Sequence, residues 1–220
     1  MKYAVLGTGV VGQTIAGRLD ELGHEVSLGT RDPEATLART GEGEPGAWAA
    51  EHDGVVLRTF AEAAAGAEVV VFAGNGAAAL EILGAAGAGA LEGKVLVDVS
   101  NPLDFTGGFP PRLFVKDDDS LAEQLQRAFP GARVVKTLNT MNASVMVRPD
   151  QLPEGTTVFV SGDDAAAKET VTELLTSFGH TDVLDLGDLT TARGAEMYVA
   201  LWVRAMGAVG SPTFNVKVVR

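Results

Sequence analysis

The chain has 220 residues, 46% of them hydrophobic and 21% charged, a composition that suits one large α/β domain with a substantial core. Its formal net charge of −12 makes nucleic acid and anionic membrane surfaces poor partners. The lack of cysteine excludes disulfides and thiolate metal sites, and the three scattered histidines predict no metal centre.

The start of the chain carries no basic-then-apolar leader, and no apolar run is long enough to cross a bilayer. We therefore expect a cytoplasmic protein without a membrane partner.

The first thirty or so residues predict a strand, a glycine turn, a helix and a second strand. A buried strand is indicated over Lys2–Leu6, helical spacing over Gln13–Leu22 and a strand over Glu25–Leu28. Between the first strand and the helix lies Gly7-Thr8-Gly9-Val10-Val11-Gly12, in the G-x-G-x-x-G spacing. Such glycines permit a sharp turn, a close approach of the backbone to a pyrophosphate and tight packing of the helix on the sheet. The context predicts a dinucleotide whose pyrophosphate meets the free N–H groups at the helix start.

The end of the second strand indicates which dinucleotide binds. NAD binders usually place an acidic residue about 20 residues after the glycines, where it holds the ribose 2′-hydroxyl. Here the sequence reads Thr30 and then Arg31, whose donors suit a 2′-phosphate. The alternative is that Arg31 is solvated and Asp32 takes the ribose, but Asp32 precedes Pro33 as at a helix start. The sequence favours NADP.

Short helices and strands alternate through the first half of the chain. They are predicted as a helix over Pro33–Arg39, a loop over Thr40–Gly46, a strand over Val55–Leu57, a helix over Phe60–Ala65, a buried strand over Glu68–Ala73, a helix over Ala77–Leu83, a loose helix end or loop over Gly84–Ala90 and a buried strand over Lys94–Val99.

Two of these strands end in residues that suit a nucleotide at the carboxyl edge of a parallel sheet. Ala73, Gly74 and Gly76 are small enough for backbone to lie against ribose or pyrophosphate, although a simple small-residue turn fits nearly as well. After the next strand, Pro102 pushes Asn101 into an extended turn at the same edge.

The second half continues the pattern. It predicts a mobile loop at Gly107–Pro111 that is either a lid or a surface excursion, a helix over Ser120–Phe129 with a capping box from Ser120 to Glu123, strands over Arg133–Leu138, Thr156–Val160 and Thr181–Leu186, and a helix over Asp163–Phe178.

A polar cluster follows the Arg133–Leu138 strand. Asn139, Thr140 and Asn142 can hydrogen-bond a carboxamide or a ring carbonyl, while Met141 supplies an apolar wall. Helix capping explains the asparagines and Ser144 as well, so both interpretations stay open.

The pattern changes at Leu189. The predicted helix over Thr190–Met206 is apolar on several sides, and because the sheet covers only one of them, a second subunit is the natural partner. The extended tail, Thr213–Val219, is expected at the same interface. The elements together predict an α/β, Rossmann-type doubly wound, mostly parallel sheet with a C-terminal helical extension. Residues 1–188 are predicted to form the NADP-binding domain, and residues 189–220 a helix and tail within the same domain and at a dimer interface.

Five pieces of the sequence are similar to those of one family: GTGVVGQTIAGRL, GHEVSLGTR, VVKTLNTMNAS, VSGDDAAAKETV and the terminal helix with its tail. They resemble the NADP oxidoreductases that depend on coenzyme F420, a deazaflavin, and relatives that include the reductase domains of membrane metalloreductases. The resemblance implies a pyrophosphate on Thr8 to Gly12, a 2′-phosphate on Thr30 and Arg31, and ribose and nicotinamide against Ala73, Gly74 and Asn75. It also implies that Asn101-Pro102 and the Asn139–Asn142 cluster face a second cofactor or a substrate, and that the chain forms homodimers through its C-terminal helices.

The activity implied by the resemblance is hydride transfer between nicotinamide C4 and coenzyme F420 or a similar small-molecule acceptor. Because the cofactor carries this chemistry, no acid or base is predicted, and Asn139 or Thr140 orienting an acceptor carbonyl is the one catalytic candidate. Two alternatives stay open. One is an NADPH reductase of a flavin, imine or carbonyl, and the other is a non-catalytic NADP(H)-binding redox sensor.

Overall fold

A central sheet of eight strands carries helices on both faces, and the structure, a computed structural model, describes residues 1–220. The strands are β1 (Lys2–Leu6), β2 (Glu25–Thr30), β3 (Val55–Thr59), β4 (Val69–Phe72), β5 (Val95–Asp98), β6 (Leu103–Asp104), β7 (Arg112–Leu113), β8 (Arg133–Thr137), β9 (Thr157–Gly162) and β10 (Asp182–Gly187). The helices are α1 (Val10–Glu21), α2 (Pro33–Leu37), α3 (Pro45–Ala50), α4 (Phe60–Gly66), α5 (Ala79–Ala86), α6 (Ala88–Leu91), α7 (Leu121–Ala128), α8 (Ala143–Val147), α9 (Ala165–Phe178) and α10 (Ala192–Val209).

The strand order is β3-β2-β1-β4-β5-β8-β9-β10, with β6 and β7 paired separately. Within the large sheet every neighbouring pair is parallel except β8 and β9. The chain builds from β1 toward β3 and then crosses to β4 on the other side of β1. This is the switch point at which open α/β sheets bind ligands. The predicted Rossmann-type, mostly parallel fold is confirmed.

The antiparallel strand β9 brings a distant part of the chain to the ligand-binding edge. Thr137 at the end of β8 pairs with Val160, and Val135 pairs with Gly162. Thr157, the first residue of β9, therefore lies beyond the carboxyl end of β8, at the same edge as the glycine turn.

The pleat of β1 divides its side chains between two buried clusters. Tyr3 and Val5 pack with α1, α8 and α9 on one face, whereas Ala4 and Leu6 pack with α4, α5 and α7 on the other. Because both faces are covered, the central strands carry near-continuous apolar runs.

The helix α10 buries part of its surface and exposes the rest. Ala195, Glu196, Val199 and Val203 are buried against the domain. Its first residue, Ala192, belongs to the same cluster as α4, α5 and α7.

The division of the chain into residues 1–188 and 189–220 stays a prediction. No helix combines the length and the apolar character needed to span a bilayer.

Several local predictions were wrong. The helix α1 begins at Val10 rather than Gln13, and α3 starts inside the predicted Thr40–Gly46 loop. The Gly84–Ala90 stretch is mostly helical because alanine favours helix, with a break at Gly87, where φ is +91°. Ser120 caps α7, but the Glu123 carboxylate bonds the Ser120 hydroxyl and Arg193 instead of completing a capping box.

The C-terminal tail packs on its own chain. The Thr157 N–H donates to the Val216 carbonyl at 2.9 Å, and the Val218 N–H donates to the Thr157 hydroxyl at 2.9 Å. Arg220 pairs with Asp182 at 2.7 Å. The tail is thereby held at the amino ends of β9 and β10.

His180 predicts a dependence of stability on pH. Its Nε2–H donates to the Met146 carbonyl at 2.9 Å, and its Nδ1 is buried without a partner. Burial lowers the pKa of His180 below its usual value, so the folded state holds it neutral while the unfolded chain protonates near pH 6.5. Above about pH 6.5 His180 is neutral in both states and costs no stability. As the pH falls from about 6.5 to the lowered folded-state pKa, the unfolded chain takes up a proton that the folded protein does not, and the free energy of unfolding decreases. The decrease is about 1.4 kcal/mol for each unit by which the folded-state pKa lies below the unfolded one.

Urea titrations between about pH 7.5 and pH 5, a range that brackets the unfolded pKa, measure this slope. We expect His180→Gln to reduce this slope without abolishing it, because burial also lowers the pKa of His24, which still contributes. An unchanged slope in His180→Gln would contradict the assignment.

Candidate functional site

The glycine turn between β1 and α1 is fixed by backbone packing. Gly7 has a φ of +128°, and a β-carbon there would lie 2.7 Å from the Ala73 carbonyl oxygen. A β-carbon on Gly12 would collide with the Gly7 carbonyl, while one on Gly9 would meet nothing within 4 Å. The first and third glycines therefore let β1, β4 and α1 close on one another. The second glycine, Gly9, leaves free space beside the backbone on the outer side of the turn, where a ligand can approach.

The start of α1 offers unsatisfied donors at this open side. Gly9 is its N-cap and provides no side chain to bind the first N–H groups of the helix. Gln13 holds the turn by donating to the Thr8 carbonyl at 2.9 Å. The free N–H groups and the positive end of the helix dipole suit an anion.

A pocket of about 570 Å³, here called the arginine pocket, lies on the β2 side of the turn. It is lined by Gly7, Thr8, Gly9, Gly29, Thr30, Arg31, Asp32, Ala35, Thr36, Arg39, Phe60, Ala73, Gly74, Asn75 and Ile82. Arg31 pairs with Glu81 at 2.6 Å, and Arg39 pairs with Glu44. Both arginines are exposed and can turn toward a phosphate.

The hydroxyls and the carboxylate at the end of β2 have structural partners. Thr30 and Thr36 share a hydrogen bond of 2.7 Å, and Asp32 accepts from the Ala35 N–H at 3.0 Å as the N-cap of α2. Asp32 thus has the helix-start role that the sequence favours over ribose binding.

A second pocket of about 430 Å³, here called the apolar pocket, adjoins the first. Its lining residues are Val10, Val11, Ala73, Gly74, Asn75, Gly76, Val99, Ser100, Asn101, Leu103, Phe105, Met141, Asn142, Ala143, Met146 and Trp202. The two pockets share Ala73, Gly74 and Asn75, so they form one cleft across the switch point. The apolar pocket carries no Asp, Glu, His, Lys, Arg or Tyr.

Four predicted site residues line neither pocket. Gly12 serves packing, and Pro102 is buried. Asn139 and Thr140 are 4% and 2% exposed. The Asn139 amide donates to Asn101 Oδ1 at 2.9 Å and to the Ala195 carbonyl at 3.0 Å. Both of its N–H groups are used inside the protein, which argues against the predicted contact with an acceptor carbonyl.

Asn75 and Asn142 remain as polar groups with free donors in the cleft. The Asn75 side-chain oxygen accepts from the Ala77 N–H at 2.9 Å, and that of Asn142 accepts from the Ser144 N–H at 3.0 Å. Each carboxamide oxygen caps a helical turn, so each NH₂ group is left for a ligand.

The structure adds residues that the sequence did not single out. In the arginine pocket these include the polar residues Thr36 and Arg39. In the apolar pocket they include Val99, Ser100, Leu103, Phe105, Met146 and Trp202. Arg39 had a local signal, since it is a second cation at the end of the predicted Pro33–Arg39 helix. Trp202 had no such signal, because α10 reaches the cleft only through tertiary packing.

A buried ionic cluster supports the edge of the apolar pocket. Lys136 on β8 pairs with Asp98 at 2.8 Å and with Glu196 of α10 at 2.9 Å. Burial lowers the pKa of Lys136, but the two carboxylates more than offset this and hold the pKa above its usual value. Glu196 also accepts from the N–H groups of Leu121 and Ala122, at the start of α7. The cluster ties α10 to the sheet beneath the pocket.

The switch-point cleft, the glycine turn and the paired cations place this chain in the class of NADP-binding Rossmann proteins. The family described as "NADP oxidoreductase coenzyme F420-dependent" matches residues 2–102. The F420-dependent NADP reductase of Methanothermobacter marburgensis is 32% identical over 209 residues, covering 92% of this chain and 91% of that protein. The chain belongs to this family and is an NADP-dependent oxidoreductase.

Two further similarities support the family and a third supports the fold. A crystal structure of a proposed F420-dependent NADP reductase from Arthrobacter sp. FB24 is 58% identical, with a TM-score of 0.97 over the whole of both chains. The metalloreductase STEAP3 of Rattus norvegicus is 31% identical over 195 residues, which cover 89% of this chain but only 36% of STEAP3. A reductive aminase from Aspergillus terreus, at 18% identity and a TM-score of 0.65 over 94% of this chain and 62% of its own, shares the fold.

The preference for the 2′-phosphate can be tested at Arg31. We expect Arg31→Ala to weaken NADPH binding about tenfold or more, because a charge-assisted contact is lost, and to leave the weaker NADH binding nearly unchanged. Calorimetric titration of both nucleotides measures the effect. Arg58→Ala, an exposed arginine on the adjacent strand β3, is the matched control. Equal affinities of the wild type for NADPH and NADH would contradict the phosphate assignment.

Proposed function

We propose that this enzyme transfers a hydride between NADP(H) and a flat conjugated ring, with coenzyme F420 as the acceptor it prefers. The observation that carries the proposal is the shared wall at Ala73, Gly74 and Asn75. A dinucleotide with its pyrophosphate on the α1 turn and its 2′-phosphate at Arg31 would extend past this wall. Its nicotinamide would then face the apolar pocket. The name of the M. marburgensis relative, an F420-dependent NADP reductase, supports the same acceptor.

The chemistry of the apolar pocket favours a ring over a carbonyl or an imine. Reduction of a carbonyl or an imine leaves a strongly basic oxygen or nitrogen that a positioned acid must protonate. The pocket offers no titratable side chain for this. A deazaflavin or flavin spreads the added charge over its ring, and a proton from solvent completes its reduction.

The cofactor supplies the hydride from nicotinamide C4, and the protein supplies binding, orientation and exclusion of water. Apolar side chains would exclude water from the apolar pocket, among them those of Val10, Val11 and Met141. The NH₂ groups of Asn75 and Asn142 would donate to carbonyl oxygens of the nicotinamide carboxamide or of the ring. These contacts replace the predicted role of Asn139 and Thr140.

An assay of NADPH oxidation tests the acceptor. We expect the highest kcat/KM with coenzyme F420, lower values with FMN or FAD, and none with quinones, cyclohexanone or a cyclic imine. NADH in place of NADPH is the control for the nucleotide. A protein that binds NADPH but oxidises it with none of these acceptors would contradict the proposal and favour the redox sensor.

We infer a homodimer formed through α10. Met197, Leu201 and Val209 are 36%, 63% and 60% exposed on this helix. Three apolar side chains exposed on one helix are better explained by burial against a second copy of the chain than by contact with solvent.

The cytoplasmic location stays a prediction.

Light scattering after size exclusion tests the dimer. We expect the wild type to elute with twice the mass of the chain and Leu201→Glu to elute as a monomer, because a carboxylate would be buried at the interface. Leu80→Glu, at an exposed leucine on α5, is the control and should stay dimeric. A monomeric wild type would contradict the inference.

A further inference from the structure

We propose that Trp202 forms the stacking surface for the acceptor ring and that Phe214, from the C-terminal tail, positions it. The inference rests on the proposed function and adds a residue that determines which acceptors bind. It assigns the tail a part in acceptor recognition.

Trp202 is the largest aromatic side chain in the wall of the apolar pocket. It comes from α10, whereas Val10, Val11 and the Ala73–Gly76 segment come from the nucleotide side. A ring between these two sides would have the nicotinamide region on one face and the indole on the other. An indole suits a flat conjugated ring because stacked aromatic systems attract each other beyond simple burial of area.

The indole is held by packing and not by a hydrogen bond. Its Nε1–H is buried and has no partner within the chain. The Phe214 ring lies against it, with ring centroids 5.3 Å apart and planes inclined by 12°. This stack covers one part of the indole and limits its rotation.

Phe214 is in turn fixed by the tail. The Val216 carbonyl accepts from the Thr157 N–H at 2.9 Å, and the Asn215 side chain donates to the Thr156 hydroxyl at 3.0 Å. Because β9 is antiparallel to β8, Thr157 lies at the cleft edge of the sheet. The chain leaves α10 after Val209, turns back and ends on the same edge, so its last residues brace the pocket wall that α10 supplies.

The contact predicts a selective loss. With Phe214→Ala the indole gains freedom, so an incoming ring must immobilise it. We expect the KM for coenzyme F420 to rise roughly three- to tenfold, as for loss of one aromatic stack, with the NADPH affinity unchanged within about twofold. Phe214→Tyr should restore the wild-type KM. Val219→Ala, at an exposed position in the same tail, should have no effect.

Fluorescence gives a readout that does not depend on turnover. The chain has two tryptophans, and Trp48→Phe, on the surface helix α3, leaves Trp202 as the only tryptophan, whose emission is excited selectively at wavelengths that tyrosine does not absorb. With NADP⁺ present, we expect coenzyme F420, and more weakly FMN, to quench this emission in a saturable way. In Trp48→Phe/Phe214→Ala the half-saturating concentration should rise by the same roughly three- to tenfold.

The outcomes separate this inference from the proposed function. Quenching without turnover would overturn the proposed activity and leave the stacking assignment in place. Turnover with an unquenched Trp202, or a wild-type KM in Phe214→Ala, would overturn the stacking assignment and leave the activity in place. If neither coenzyme F420 nor FMN quenched the emission of Trp202, the stacking assignment would be overturned, whether or not the enzyme turned over.

Discussion

The structure depends on a contact between backbones at the switch point, where the turn after β1 meets the end of β4 and the first turn of α1. A β-carbon at Gly7 would lie 2.7 Å from the Ala73 oxygen, and one at Gly12 would collide with the Gly7 carbonyl. With both positions bare, the helix start lies directly at the end of the sheet with its N–H groups unpaired. An anion can therefore be bound by a protein whose net charge is −12, because the attraction is local and comes from amides and two arginines.

The other half of the cleft comes from parts of the chain far from the glycine turn. Lys136 joins β8 to Glu196 of α10, and the Asn101–Asn139 pair joins two strand ends to the Ala195 carbonyl. These buried polar contacts fix α10 over the carboxyl edge of the sheet. A lysine buried with two carboxylates contributes little net stability, but loss of one member would leave an unpaired buried charge. We interpret the cluster as setting where α10 and Trp202 lie, and thus the width of the apolar pocket.

The parts predicted correctly from sequence follow local rules. The strand, glycine turn and helix at the start of the chain and the cap at Asp32 are encoded within a few residues each. The role of Asn139 was missed because its partner Ala195 is 56 residues away, and no periodicity indicates which element covers a strand end. Trp202 was missed because the sequence pattern of its helix shows only that several sides of the helix are apolar. The structure shows which neighbour it faces.

The central claim is that nucleotide and acceptor occupy one cleft across the switch point. A crystal structure of this protein with NADP⁺ tests it most directly. The account predicts the pyrophosphate on the N–H groups of Val10 and Val11, Arg31 turned from Glu81 to the 2′-phosphate, and the nicotinamide beside Asn75 with one face open to the apolar pocket. A nucleotide whose phosphates lie away from the glycine turn, or whose nicotinamide points out of that pocket, would contradict it.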